Sequence, residues 1–205
     1  MRFVNRISGK IAQVTDDFLA KVQRLESTLV FKSPAFKGGK KFLSIFCVKD
    51  PEDPEDQGYY FSERLGRDSV AFLLYDRNEL EKPYVALEQY HSPRRMFQKG
   101  AFTGSLDKGL SPDATAIEEI AEEAGYRISS ERLHSVGKQF VGCNTNESVY
   151  LFIGDVTGIA RNKKNPDNVW EENTHLLQMS KDEIFKFCEW RAILCMMLWE
   201  SEQWK

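Results

Sequence analysis

The sequence predicts an α/β fold on three observations: paired apolar runs of strand length near its middle, a well-capped helix after them, and a long amphipathic helix at its C-terminal end. Its 205 residues suit one ordinary domain with an N-terminal elaboration better than two domains. Hydrophobic residues at 41% and charged residues at 29% are those of a folded globular chain, far from the composition of a disordered one.

Taken in order, residues 16 to 30 carry Phe18, Leu19, Val22 and Leu25 at helical spacing behind Thr15, a candidate cap. Residues 42 to 48 read as extended. The acidic run from Lys49 to Gly58, with Pro51 and Pro54, reads as a loop free to move. Ser69–Tyr75 and Tyr84–Tyr90 follow as a hairpin of central strands, the polar stretch between them holding Asp76, Asn78 and Pro83. From Gly100 to Lys108 the chain reads as loop. Ser111-Pro112 then opens a helix, serine as the cap and proline in the first turn, and Gly125 closes it as a left-handed terminator. Val136–Val141 and Ser148–Val156 predict two more strands, and His175–Met179 a short one. Ser180 and Glu183 form a capping box for a long last helix, whose Cys188, Met197 and neighbouring apolar residues read as core.

Composition also excludes. A formal net charge of −3, from 28 basic and 31 acidic side chains, offers no overall positive field for a nucleic acid backbone. Cys47, Cys143, Cys188 and Cys195 form no CxxC pair and predict free thiols rather than a zinc site or a disulfide framework. The N-terminus has no apolar run of signal-peptide type and no stretch approaches a membrane span, so a cytoplasmic protein without membrane partners is expected.

The chemistry concentrates between Gly104 and Tyr126. Within a helix Glu119, Glu122 and Glu123 stand at i, i+3 and i+4, so their carboxylates share a face, while Ala116, Ile117 and Ile120 supply the buried side. Like charges so placed destabilise an isolated helix by about 0.2–0.5 kcal/mol per pair. A bound cation reverses that sign, and Mg2+ is typically held by one or two carboxylates together with substrate phosphates. A solvated acidic helix shows the same spacing, so spacing alone leaves both readings open.

The block resembles the Nudix box, in which a glycine is followed after five residues by a glutamate and, seven further on, by Arg-Glu-hydrophobic-x-Glu-Glu-x-Gly-hydrophobic. Gly104, Glu119, Ile120, Glu122, Glu123, Gly125 and Tyr126 match it, while Leu110 replaces the first glutamate and Glu118 the arginine. The resemblance covers about residues 66 to 200 and implies a Nudix α/β/α sandwich with a mixed central β-sheet, preceded by a β-rich extension. It implies domains at 1–65, for dimerisation and the substrate pocket, and at 66–205, the hydrolase proper. Leu87-Glu88-Gln89-Tyr90 and the residues before the helix are most similar to the ADP-ribose and UDP-sugar diphosphatases.

From that resemblance we expect metal-dependent cleavage of a nucleoside-diphosphate sugar, a UDP-sugar or similar, to a nucleoside monophosphate and a sugar phosphate. The alternatives are an ADP-ribose diphosphatase and a catalytically silent Nudix domain that binds a nucleotide or a protein. Glu119, Glu123 and Glu122 would ligate Mg2+ or Mn2+ with the backbone carbonyl of Thr103, Glu119 and Glu122 acting in catalysis. Glu172, with Glu171 second, is the candidate general base. Arg94, Arg95, Arg64 and Arg67 are candidate contacts to an anionic substrate. Lys138 is a candidate to offset Glu118, and His91 is assigned no acid-base role. A homodimer is expected.

Overall fold

The computed structural model describes residues 2–4, 11–13, 23–32, 43–64, 68–91, 94–106, 109–142, 144–162 and 174–203. The chain separates into two compact units, one of Met1–Leu65 with Gly142–Asn146 and the other of Gly66–Val141 with Glu147–Lys205.

The smaller unit is built from strands. β1 (Arg2–Val4) and β2 (Ile11–Gln13) form an antiparallel pair, and β3 (Glu26–Lys32), β4 (Leu43–Lys49) and β5 (Tyr59–Arg64) form a three-stranded antiparallel sheet. The helix expected to run on to residue 30 is therefore corrected over its last residues. Ser27, Thr28 and Val30 pack better on a pleated surface, and pairing with β4 overrides the helical spacing of the apolar residues before them. The acidic loop after β4 is organised by its own carboxylates. Asp50 is buried, pairs with Arg24 at 2.9 Å and accepts from Glu52 N–H, while Asp56 accepts from the backbone N–H of Asp50 and Gly58.

In the larger unit β6 (Ser69–Tyr75) is buried on both faces, which its continuous apolar run dictates. It pairs in parallel with β11 (Ser148–Asp155), and β11 pairs antiparallel with β10 (Leu133–Phe140). The expected hairpin of β6 and β7 (Tyr84–His91) exists at only two rungs, Leu74 with Val85 and Tyr75 with Tyr84. Beyond them the strands part, and the segment read as loop supplies two strands instead. β8 (Met96–Gly100) pairs with β7, and β9 (Phe102–Ser105) pairs with β6. β12 (His175–Met179) closes the far edge on β7. The central sheet is thus mixed, as expected.

Alternation along β6 sorts the core into two layers. Val70, Phe72 and Leu74 face Ala116, Ile120 and Ala124 of the helix α1 (Pro112–Glu119) and the turn that continues it. Ala71 and Leu73 face Ile184 of α2 (Lys181–Phe187) and Ala192, Cys195, Met196 and Trp199 of α3 (Trp190–Gln203). Helices cover both faces, so the architecture is the expected α/β/α sandwich. Burial pushes the Cys195 thiol up to about 12 and Cys188 up to about 11, as inert core sulfurs require. Among the described residues Cys47, Cys188 and Cys195 are free thiols, and no helix is long and apolar enough to cross a membrane.

The single last helix expected from the capping box is two. Ser180 and Glu183 do form that box, but Cys188 is extended at φ −93° and ψ 160°, and α3 starts afresh at Trp190. Glu189 causes the break. Its carboxylate accepts from Arg191 and Ala192 N–H at 3.0 and 3.2 Å, capping α3, and from Ala101 N–H at 3.3 Å, where β8 gives way to β9. Glu189→Ala would remove a cap and strip a part-buried N–H of its acceptor, a loss of roughly 2–4 kcal/mol. Urea unfolding should show the midpoint moving down by that loss divided by an unchanged m value.

Candidate active site

α1 begins as the sequence dictates. Ser111 accepts from Ala114 N–H through its hydroxyl at 3.2 Å and Pro112 occupies the first turn. It does not continue as a uniform α-helix to Gly125. From Ile120 to Ala124 the chain is a π-turn, with Gly125 N–H donating to the carbonyl of Ile120. The physical reason lies beneath it. Ile120 is fully buried above Gly154, where an added Cβ would stand 3.0 Å from its Cδ1, so the helix seats a large side chain in a notch and widens around it. Beside that notch the rings of Phe72 and Phe102 stack with centroids 5.0 Å apart.

This seating brings Glu119, Glu122 and Glu123 to the end of α1 and the start of the π-turn, all part-buried. Glu119 folds onto β9. A Cβ built on Gly104 would lie 2.5 Å from Glu119 Cγ and 2.6 Å from both Cδ and Oε1, so the carboxylate occupies the space that a side chain at 104 would fill. Thr103, the predicted backbone ligand, immediately precedes that glycine and pairs with Ala71 of β6. Oε2 of Glu123 is shielded from solvent. Among the described residues no three His, Cys, Asp or Glu side chains converge as a ready-made metal cage. A cation of the Mg2+ type does not need one, since it is held by one or two carboxylates, a carbonyl and substrate oxygens, and the Glu119–Gly104 cradle supplies that donor chemistry.

The other predicted residues are scattered. Arg94 and Arg95 sit exposed in the turn between β7 and β8, where Arg95 takes a left-handed φ of 53° and Arg94 N–H donates to His91 Nδ1. Arg94 lines a cleft of about 560 Å³ between β8 and the α2–α3 junction. Arg64 ends β5 in the smaller unit, and Arg67, Glu171 and Glu172 lie outside the described residues. Lys138 bonds to Tyr150 Oη at 2.9 Å and to Asp68 at 3.5 Å, and these partners hold its pKa above the usual lysine value. Leu110 is exposed before the helix.

Sequence reasoning found the left-handed Gly125 but missed the partners that hold the far end of the turn. Gly125 is left-handed at φ 78°, and its Cα approaches the next loop so closely that a Cβ would lie 2.4 Å from the Asn162 carbonyl oxygen. Asn162 N–H returns a bond to the Gly125 carbonyl at 2.8 Å, and Arg161 Nε donates to Ala124 O at 3.0 Å, setting a cation at a helix C-terminus. Arg161 also lines a small pocket of about 220 Å³ with Tyr126 and Gln178. Nothing local in the sequence singles out Arg161, because its partners are backbone carbonyls distant along the chain. Gly125→Ala should lose roughly 2 kcal/mol or more, from left-handed strain of about 1–2 kcal/mol plus displacement of Asn162. A thermal melt with an unchanged midpoint would contradict that.

No protein-family model matches the chain. It is similar to an ADP-ribose pyrophosphatase of Bacillus subtilis (strain 168), 22% identical over 173 residues that span 84% of this chain and 88% of the relative. Its fold is similar to the crystal structure of an ADP compounds hydrolase, with a TM-score of 0.62 at 15% identity over 87% of this chain and 96% of the other. The mixed sheet between two helical layers and these two likenesses agree with the resemblance to the Nudix box, and the second shows the fold that the resemblance implies.

Proposed function

We propose that this chain hydrolyses the pyrophosphate bond of an ADP-ribose-like nucleoside diphosphate, releasing a nucleoside monophosphate and a sugar phosphate. The observation that carries the reading is the Glu119 carboxylate cradled on Gly104 beside Glu122 and Glu123. Both relatives are named for ADP compounds, which favours ADP-ribose over the UDP-sugar expected from the sequence. Mg2+ or Mn2+, when bound, would neutralise the diphosphate and lower the pKa of a water at the reacting phosphorus.

Glu119 and Glu123 would hold the cation with the Thr103 carbonyl. The π-turn supports that pairing, because in a wider turn a residue four along stays near the face of Glu119 while one three along rotates away. Glu122 then serves as the further ligand, direct or through water. Glu172, with Glu171 second, is proposed to take the proton of the attacking water. Arg64, Arg67 and Arg95 are proposed as contacts to the substrate's anionic groups by charge.

The test is phosphate release, with a coupled phosphatase, from ADP-ribose, UDP- and GDP-sugars, dinucleoside polyphosphates and nucleoside triphosphates. ADP-ribose should lead, chelation by EDTA should abolish turnover, and Glu172→Gln should lower turnover with metal binding intact. Binding without turnover would instead support a silent module, the reading that Leu110 and Glu118 at two box positions favour.

We also infer a homodimer formed through the three-stranded sheet of the smaller unit. β3 is exposed along its length, and Leu29, Val30, Phe31, Tyr59 and Tyr60 present apolar surface that a monomer seldom leaves open. Light scattering should give twice the chain mass, and a monomeric mass would refute the dimer.

A further inference from the structure

The larger unit carries a second cleft that the proposed hydrolysis does not use. It measures about 560 Å³ and opens between β8 and the α2–α3 junction. Register separates it from the carboxylate ridge. On β7, Tyr84 and Ala86 pack in the α3 layer, whereas Val85 and Leu87 pack in the α1 layer. Lys99 and Phe97 pair with Glu88 and Tyr90, in step with Tyr84 and Ala86, so they rise from the face away from α1.

Its lining has the marks of a built site. Arg94, Lys99 and Arg191 stand against one carboxylate, Glu189, leaving a surplus of two positive charges (three less one). Lys99 Nζ lies 5.7 Å from the Phe187 ring and the Arg191 guanidinium 4.8 Å from the Trp190 ring, so both cations are held against aromatic walls. Phe97, Phe187 and Trp190 are 52%, 60% and 39% exposed, far more open aromatic surface than the neighbouring core leaves. One polar atom in the lining, Arg191 Nε, is shielded from water and lacks a hydrogen-bond partner. A buried donor left orphaned is costly unless something else completes it. A single water of about 30 Å³ would fill little of this space, whereas small-molecule sites occupy about 300–1,000 Å³.

We propose that this cleft is a second nucleotide site that takes a nucleoside monophosphate. A phosphate monoester carries about −1.5 to −2 charges at neutral pH, which matches the cationic surplus. Lys99 and Arg191 receive the phosphate, and the planar base lies on Trp190 and Phe97. A nucleoside monophosphate is also what the proposed hydrolysis releases, so the cleft would sense product, although its binding stands independently of that reading.

The test is calorimetric titration of the full chain with AMP in EDTA, which silences any metal-dependent site. Adenosine and inorganic phosphate are titrated in parallel. AMP should bind wild type and Glu119→Gln alike, and both fragments should bind at least about tenfold more weakly. Lys99→Ala should weaken AMP by about tenfold or more, and Phe97→Ala should weaken it too while leaving phosphate unchanged. Melting curves of both variants check their folding; Lys99 engages the α2–α3 junction through its carbonyl, which the substitution keeps. Absence of AMP binding at millimolar concentration, binding lost in Glu119→Gln but kept in Lys99→Ala, or phosphate binding as tightly as AMP would each overturn the proposal. AMP binding in a chain that hydrolyses nothing would overturn the proposed hydrolysis and still support this cleft.

Discussion

Glu119→Gln should lower turnover by on the order of 10³-fold while leaving the fold intact. A metal site contributes several kcal/mol of charge stabilisation at the reacting group, and each 1.36 kcal/mol is tenfold in rate. Glutamine keeps the length and shape of the side chain, so it should lie on Gly104 as glutamate does. What it removes is one negative charge from a turn that also holds Glu118, Glu122 and Glu123. Without metal that removal relieves repulsion of about 0.2–0.5 kcal/mol per like pair, so the variant should melt at or slightly above the wild-type temperature. With Mg2+ the order should reverse, because a ligand of the folded state stabilises only the protein that binds it. Melting with and without Mg2+, beside kcat/KM, reads both signs. Full activity in the variant would sink the carboxylate reading, and a matching Mg2+ shift in both proteins would show that the ion binds elsewhere.

Those carboxylates were legible because their spacing and their frame are local. Ser111, Pro112 and Gly125 mark the start and end of the helical stretch by properties of single residues, and all three do in the structure what their chemistry prescribes. β6 was legible for a similar reason, since a run such as Val-Ala-Phe-Leu-Leu has to be covered on both faces. What stayed hidden depends on partners far along the chain. Phe102–Ser105 carries a glycine, a threonine and a serine and reads as loop, yet it is a strand because β6 offers it a free edge after parting from β7. The π-turn exists because Gly154, on a strand more than thirty residues downstream, leaves room for Ile120. The break at Glu189 interrupts an apolar period that continues unbroken in the sequence, and its cause is the backbone N–H of Ala101. Arg161 escaped notice on the same grounds. The charged ridge could be read from spacing, but what holds Glu119 in place could not, because the contact is with a residue that has no side chain.

Gly104→Ala isolates that contact, and we expect it to reduce kcat/KM by on the order of 10²-fold with every carboxylate still present. Glycine at 104 is required here by space rather than by an unusual backbone, since the residue lies in β9 in register with Val70 of β6. The added methyl would sit 2.5–2.6 Å from Cγ, Cδ and Oε1 of Glu119, well inside contact distance. Either the strand or the carboxylate must give way. The strand is locked between fully buried neighbours, Val70 and Phe102, so the flexible glutamate moves first. A displacement of about 1 Å at a positioning group is enough for a loss on the order of 10²-fold. Overpacking should also lower stability by about 1–3 kcal/mol, less than would unfold a typical domain. The informative measurement is therefore a Mg2+ titration of activity alongside urea unfolding. A higher Mg2+ requirement in a folded variant would show that Gly104 acts by placing Glu119. Wild-type activity and Mg2+ dependence would mean that the carboxylate leaves Gly104 before the reaction, and the cradle would then have no part in it.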